Sequence, residues 1–253
     1  MLFFENRCVL CGECVRACPH GATVLENVCV RITDACSACG TCVDVCAAGA
    51  RELAGRWVSV REVMEEIERD RVFWDEAGGG VTFSGGEPLF QPQFLEALLD
   101  ACRERNIHTA VETCGFARRQ VVLRLAPKVD LFLFDLKLLD SAKHRLNTGR
   151  GNELILSNIK ALVEARSELI IRYPVIPGIN AGQENVRQML QFLEELELRR
   201  VDLLPFNPTG AEKYRRLRLL PHEFDCDGDE PLRVVEQIAS RFREHGFDVR
   251  VGG

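Results

Sequence analysis

The sequence predicts an α/β protein in which a small cysteine-rich domain precedes an incomplete barrel of alternating strands and helices. Eight of the twelve cysteines fall between Cys8 and Cys46, and apolar strand patterns then alternate with helical ones to the end of the chain. Such strands are typical of a parallel sheet buried on both faces. Six predicted strands are too few for a closed eight-stranded barrel, so we expect a partial one. We place the two domains at residues 1–54 and 55–253.

The eight cysteines form two arrays of identical spacing, C-x2-C-x2-C-x3-C, related by a shift of 28 positions. The arrays are Cys8, Cys11, Cys14, Cys18 and Cys36, Cys39, Cys42, Cys46. This is the spacing of bacterial two-cluster ferredoxins, in which each array wraps one [4Fe–4S] cube and sends its fourth cysteine to the other. The predicted ligand sets are therefore Cys8, Cys11, Cys14, Cys46 and Cys18, Cys36, Cys39, Cys42. Pro19 follows the first array, whereas Ala47 stands in that place after the second.

Other uses of these cysteines fit the pattern less well. Zinc sites use paired C-x2-C units rather than this repeated stagger. Disulfides require an oxidising compartment, and nothing in the sequence indicates secretion. Of the remaining cysteines, Cys29 and Cys102 are predicted to be buried as small apolar residues, and Cys114 and Cys226 have no predicted role.

The overall charge of −6 argues against nucleic acid as a partner, because phosphate binding needs a basic surface. The basic stretch Lys213–Arg218 is interpreted as a solvated helix face rather than a docking patch. No apolar run reaches transmembrane length, and the first residues lack the pattern of a signal peptide. We therefore expect a cytoplasmic protein without a membrane partner.

After the cysteine-rich region, Arg51–Arg56 is predicted to be a linker, and a capping box at Ser59 and Glu62 begins a helix. A second amphipathic helix buries the face that contains Leu95, Leu99 and Cys102. The predicted strands are Val81–Phe83, Thr109–Glu112, Leu131–Leu136, Leu169–Ile176, Val201–Phe206 and Phe247–Val251. Further helical patterns cover Val121–Leu125, Ile155–Ala165, Val186–Leu196 and Leu232–His245.

Polar or glycine-rich segments follow the predicted strands, at the edge where βα folds place their chemistry. They are Gly85-Gly86-Glu87, Glu112-Thr113-Cys114, Asp135-Leu136-Lys137, Arg172 with Pro177-Gly178, and Pro205-Phe206-Asn207-Pro208. Each has an ordinary explanation by itself: a glycine pair marks a turn, Asp135 and Lys137 can form a surface pair, and Arg172 can cap a helix. Their concentration at one rim favours a binding site.

The segments VTFSGGEP, ETCG, FDLK, IRYPVIPG and LLPFNPTGAEKY follow the two cysteine arrays in this order. Together they resemble the glycyl-radical-enzyme activating enzymes of the radical S-adenosylmethionine (SAM) superfamily, over essentially the whole chain. The resemblance implies a partial (β/α)6 TIM-like barrel that cleaves SAM reductively to a 5′-deoxyadenosyl radical, which removes hydrogen from a glycine of a partner enzyme. It also implies that the two auxiliary clusters relay electrons from a flavodoxin- or ferredoxin-type donor.

The same resemblance assigns cofactor binding to particular residues. They are Gly85, Gly86, Glu87, Asp135, Leu136, Lys137, Arg172 and Asn207. Gly86 lets the backbone approach the methionine end of SAM, and Arg172 can pair with a carboxylate. At Asn207 related activases carry a histidine beside the adenine, and asparagine can still form a hydrogen bond there.

One departure concerns the cluster that binds SAM. The superfamily signature is C-x3-C-x2-C, and no three cysteines stand at i, i+4 and i+7 in these 253 residues. No catalytic residue is therefore assigned, and we interpret the chain as an N-terminally shortened activase whose barrel lacks its first strand. A third, SAM-binding cluster is expected only in a full-length form. The alternative is a non-catalytic iron–sulfur protein that transfers electrons or binds a partner. No motif identifies the glycyl-radical enzyme.

Overall fold

The computed structural model describes residues 1–26, 29–75, 78–207, 216 and 230–252. Two compact units are present. The first contains Met1–Trp57 together with Asn207 and Arg216, and the second contains Val58–Phe206 with residues 230–252. The division between Trp57 and Val58 lies three residues after the boundary that the sequence predicts.

The first unit is built from two halves that repeat each other. Its elements are β1 (Leu2–Phe3), α1 (Glu13–Arg16), β2 (Thr23–Glu26), β3 (Cys29–Ile32), α2 (Thr41–Asp44) and β4 (Arg51–Glu52). The outer strands β1 and β4 pair antiparallel, as do the inner strands β2 and β3. The predicted linker is therefore wrong at its start, because Arg51 pairs with Phe3 in this sheet and is buried.

The backbone repeats with the same 28-residue shift as the cysteines. Gly12 and Gly40 precede the two helices with φ of 75° and 90°, a left-handed conformation in which glycine lacks the steric cost of a side chain. Leu10 and Ala38, two residues earlier, have φ of 55° and 54°. Each half thus bends around its own set of thiols in the same way.

The second unit contains a six-stranded parallel sheet with the order β10-β9-β8-β7-β6-β5. Its strands are β5 (Gly80–Phe83), β6 (His108–Thr113), β7 (Leu131–Asp135), β8 (Leu169–Val175), β9 (Arg200–Pro205) and β10 (Asp248–Val251). All six predicted strands are confirmed, and so is their parallel arrangement. Among the described residues, β5 is paired on one side only, by β6.

The helices of this unit alternate with its strands. They are α3 (Val60–Arg69), α4 (Arg71–Asp75), α5 (Pro92–Glu104), α6 (Arg119–Leu125), α7 (Ser141–Thr148), α8 (Glu153–Glu164), α9 (Gln183–Glu195) and α10 (Glu230–Glu244). The predicted capping box is present, with Ser59 and Glu62 bonding reciprocally. The sequence analysis missed α4 and α7; α7 is short and mostly polar, and an N-cap at Asp140 begins it. None of the helices in the described part of the chain has the length and apolarity that crossing a membrane requires.

The two faces of the sheet differ in character. Residues such as Val111, Phe132, Ile171 and Leu203 point to one face and join the main hydrophobic core with the helices. The residues that alternate with these along the strands form the other face. Most of them are partly exposed, which is unlike the second face of a sheet that is covered on both sides. That second face carries charged side chains on five strands: Glu112, Asp135, Arg172, Asp202 and Arg250.

Candidate iron–sulfur sites and strand-end rim

The eight cysteines surround two cavities in the first unit. Cavity I is lined by Cys8, Cys11, Cys14 and Cys46, and cavity II by Cys18, Cys36, Cys39 and Cys42. The fourth cysteine of each array therefore faces the cavity of the other array. In the described part of the chain, no three cysteine, histidine or carboxylate side chains converge closely enough to hold a single metal ion. Four thiols spread around a cavity suit a cube better than a zinc ion.

Backbone N–H groups point at the sulfurs in a repeated manner. Ala22 N donates to Cys18 Sγ at 3.2 Å, and Ala50 N donates to Cys46 Sγ at the same distance. A backbone hydrogen bond from His20 is the main cause of a lowered pKa of Cys18. Such donors favour the thiolate, which is the form that binds iron.

Arg51 is a buried cation at the wall of cavity I. Its side chain is 2% exposed, and its Nη2 lies 3.8 Å from Cys14 Sγ. The guanidinium lies 4.9 Å from the centre of the Phe3 ring, and its Nε and Nη1 have no hydrogen-bond partner. A buried cation with orphaned donors is costly unless an anion accompanies it. This residue therefore fits a cavity that holds an anionic cluster.

In the second unit, the glycine loop after β5 is open. Gly85 has φ +118°, a conformation that strains any other residue, and Gly86 is exposed with nothing within 4 Å of the position of a Cβ. Backbone atoms at Gly86 are therefore accessible to a ligand, which is the property that the resemblance assigns to it.

Glu87 joins this loop to the next strand end. Its carboxylate accepts hydrogen bonds from Leu89 N at 3.1 Å, Thr113 Oγ1 at 2.6 Å and Cys114 N at 2.9 Å. The Cys114 thiol also donates to it at 3.0 Å. Burial, followed by this hydrogen bond, raises the pKa of Cys114 to about 11, so the thiol is neutral at physiological pH. Glu87 thus positions two loops and has protein groups as its partners.

The segment after β7 offers one unused acceptor. Asp135 Oδ2 accepts a hydrogen bond from Lys137 Nζ at 3.1 Å, whereas its buried Oδ1 has no partner. Leu136 is 1% exposed and packs in the core, so only its backbone is available to a ligand. An orphaned carboxylate oxygen at a strand end is a fitting acceptor for an ammonium or hydroxyl group.

A row of alternating charges crosses the sheet at this level. Asp135 is in register with Arg172, Arg172 with Asp202, and Asp202 with Arg250. Arg172 also forms an ion pair with Glu112, with 2.5 Å between Nη1 and Oε1. Burial raises the pKa of Asp202, while Arg250 and Arg172 oppose that rise. The row places anionic and cationic groups side by side on the less buried face.

Buried asparagines hold the loops of the rim, and the sequence analysis missed them. Asn180 and Asn185 both donate to the carbonyl of Lys137, at 3.1 and 3.3 Å. Asn185 also donates to the hydroxyl of Tyr173, which burial keeps protonated by raising its pKa. Asn158 donates to the carbonyls of Gly115 and Ala117 at 2.8 Å. For Asn158 and Asn185 the available signal was an amide on the otherwise apolar faces of α8 and α9, whereas Asn180 lies in the loop before α9.

The remaining sequence predictions have mixed outcomes. Cys102 is fully buried, as predicted. Asn207 is exposed and belongs to the first unit. Of the basic stretch Lys213–Arg218 only Arg216 is described, and its guanidinium lies 4.8 Å from the centre of the Phe4 ring. The side chain of Cys29, together with Cys226 and Pro208, lies outside the described residues.

Two family models match the chain. The radical SAM superfamily model matches residues 32–193, and the 4Fe-4S binding domain model matches residues 1–23. The partial barrel and its strand-end rim agree with the first match, and the cysteine cavities agree with the second. The class is therefore that of radical SAM proteins with an iron–sulfur domain.

Curated relatives narrow the class. The chain is 39% identical over 260 residues to the trans-4-hydroxy-L-proline dehydratase activating enzyme of Clostridioides difficile, covering 100% of this chain and 85% of the relative. It is 39% identical over 261 residues to the choline trimethylamine-lyase activating enzyme of Oleidesulfovibrio alaskensis, covering 99% of this chain and 83% of the relative.

A solved structure agrees with these relatives. A domain of the pyruvate-formate lyase-activating enzyme from Bacteroides vulgatus is 33% identical with a TM-score of 0.57, covering 69% of this chain and 99% of that domain. The chain belongs to the glycyl-radical-enzyme activating enzymes of the radical SAM superfamily.

Proposed function

We propose that this protein activates a glycyl-radical enzyme, using SAM bound at the strand-end rim and electrons relayed through two [4Fe–4S] clusters. The observation that carries SAM binding is the combination at one sheet edge of an open glycine loop and the unpartnered Asp135 Oδ1. The two clusters would relay single electrons toward a third, SAM-binding cluster, whose ligands are not among these eight cysteines. One-electron reduction of the SAM sulfonium would break its bond to the 5′ carbon, giving methionine and the carbon radical that abstracts hydrogen from a glycine.

The residues of the rim divide the work of holding SAM. Gly86 admits the ligand close to the backbone, and Asp135 Oδ1 accepts a hydrogen bond from it. Lys137 fixes the other oxygen of Asp135, and Glu87 fixes the glycine loop against the end of β6. Arg172 and Glu112 keep the neighbouring face polar, so that a charged ligand is not forced onto an apolar surface.

The first unit holds the relay. Cavity I would bind one cluster through Cys8, Cys11, Cys14 and Cys46, and cavity II the other through Cys18, Cys36, Cys39 and Cys42. A flavodoxin- or ferredoxin-type protein would donate the electrons. Since each cube then has four cysteine ligands, neither offers a vacant iron to SAM, and both act only in electron transfer.

The iron content of the protein tests whether the two clusters of the proposed relay are present. Reconstituted protein should contain about eight iron atoms per chain in two [4Fe–4S] clusters, measured by iron analysis and Mössbauer spectroscopy. Cys46→Ala should disturb the cluster held by Cys8, Cys11 and Cys14, and the matched variant Cys18→Ala should disturb the other. Stoichiometric zinc with negligible iron would refute the assignment.

SAM binding tests the rim. Gly86→Val should weaken SAM binding at least tenfold, about 1.4 kcal/mol, because its side chain fills the space that the ligand needs. Isothermal titration calorimetry would measure the affinity, with Gly55→Val as a control because that glycine also has nothing within 4 Å but lies outside the barrel. Equal affinities in both variants would place the nucleotide elsewhere.

An electron-transfer protein without radical chemistry is the second candidate. It is favoured by the absence of C-x3-C-x2-C from these 253 residues. The two functions differ in their use of the rim, because an electron carrier has no need of SAM. Measurable SAM binding that depends on Gly86 would favour the activase, and its complete absence from folded, cluster-loaded protein would favour the carrier.

A further inference from the structure

The two cavities of the first unit share their thiols and two backbone donors but differ in several other lining residues, of which one is a buried cation. Under the 28-residue shift, the eight cysteines correspond pairwise and have matching exposure: Cys11 and Cys39 are exposed, whereas Cys14 and Cys42 are buried. Ala22 and Ala50, which donate to sulfur, also correspond. The next pair breaks the symmetry, because Arg51 at cavity I corresponds to Thr23 at cavity II.

Arg51 brings a full charge to cavity I where burial preserves its effect. It is 2% exposed, contacts Cys14 Sγ, and keeps Nε and Nη1 without partners. Glu13 is the other charged residue lining this cavity among those described, and its exposed carboxylate is paired with Arg16. Solvent and this pairing screen Glu13, whereas a buried charge acts through a medium of low dielectric constant.

At the sulfurs of cavity II, the described hydrogen-bond donors beyond those the two halves share are uncharged. Thr23 is buried at its wall, Ala38 N donates to Cys36 Sγ at 3.4 Å, and the Thr41 hydroxyl lies 3.4 Å from Cys39 Sγ. Besides the cysteines, its described titratable lining residues are His20, which is exposed, and Met1 with its terminal amino group, which is partly exposed. Solvent screens both, unlike the buried Arg51. Hydrogen bonds from neutral donors are roughly half as strong as those from charged ones.

We propose, on the basis of the two-cluster assignment proposed above, that Arg51 makes the cluster in cavity I the more readily reduced of the two. The guanidinium donates N–H groups to the cluster sulfurs. One electron from an external flavodoxin- or ferredoxin-type donor converts one cube from the 2+ to the 1+ state, with no bond broken and no proton required. Because reduction adds negative charge, a buried cation stabilises the reduced cube and raises its potential. The electron therefore settles in cavity I, which gives the relay a direction.

Potentiometric titration of the reconstituted full chain, followed by electron paramagnetic resonance, tests this role. The unmodified protein should show two one-electron steps. In Arg51→Gln the higher step should fall by at least a tenfold change in the reduced-to-oxidised ratio, 59 mV for one electron, and by more than the lower step. Arg51→Lys, which keeps the charge but not the fork of donors, should lie between. Thr23→Val is the matched control at cavity II and should leave the higher step unchanged.

The steps are assigned to cavities independently of Arg51. Cys11→Ser and Cys39→Ser replace corresponding exposed ligands, so each should alter the spectrum of one cluster. The higher step should change in Cys11→Ser, and a change in Cys39→Ser instead would overturn the proposal even if Arg51→Gln failed to assemble. An unmoved higher step in loaded Arg51→Gln would also overturn it. Fewer than two reducible clusters in the unmodified chain would overturn the cluster assignment itself, and with it the role of Arg51.

Discussion

Replacing Gly115 with alanine should destabilise the second unit by about 4 kcal/mol, as the sum of backbone strain and overpacking. Gly115 has φ +68°, a conformation that side chains rarely adopt. An added Cβ would also overlap the ring of Phe134, which is fully buried and cannot move away. The loop after β6 must therefore shift, and with it the hydrogen bond from Asn158 to the Gly115 carbonyl.

Gly149→Ala is the matched control for that variant. Gly149 has a similar φ of +78° at the end of α7, but nothing lies within 4 Å of the position of its Cβ. It should cost only about 1–2 kcal/mol of backbone strain. Thermal unfolding followed by circular dichroism should show a drop in Tm of about 8–16 °C for Gly115→Ala and a much smaller one for the control. Equal drops would show that the contact with Phe134 has no energetic weight.

Local patterns were enough to predict the six strands of the barrel, its longer helices and the cysteine groups. Strand and helix periodicity depends on neighbouring residues, so the six strands of the barrel were found within one or two residues of their ends. The spacing of the arrays likewise predicted which four cysteines surround each cavity, including the exchange of Cys18 and Cys46. Information of this kind is contained in the order of residues along the chain.

The groups that hold the site together could not be predicted, because their partners are distant in sequence. The sequence analysis placed Arg51 in a linker, whereas in the structure its side chain contacts Phe3 and Cys14. Asn158 contacts Gly115, 43 positions earlier. A polar side chain gives no local signal of burial, and its role depends on a carbonyl or sulfur that only the folded chain supplies.

Arg172→Met should destabilise the second unit by about 2 kcal/mol, because it leaves Glu112 and Asp202 without their shared cation. Breaking a fully buried pair costs about 3–5 kcal/mol. The side chains of Arg172 and Glu112 are 16% and 32% exposed, so solvent reduces that cost. Arg119→Met is the matched control, since Arg119 pairs with Glu164 at 3.0 Å but both side chains are largely exposed. It should change stability by less than about 1 kcal/mol.

The loss in Arg172→Met should depend on pH and on the partner. Burial already raises the pKa of Asp202, and removing Arg172 removes an influence that lowers it. A carboxyl group whose folded pKa lies above its unfolded value stabilises the fold below the unfolded pKa, about 3.9, and loses that contribution as pH rises through the folded pKa. The destabilisation should therefore be smaller at pH 4 than at pH 8 in urea unfolding. In the double variant Arg172→Met with Glu112→Gln, part of the lost stability should return, because a neutral amide replaces the carboxylate that had lost its cation. A pH-independent loss without recovery would mean that Arg172 acts through packing and not through charge.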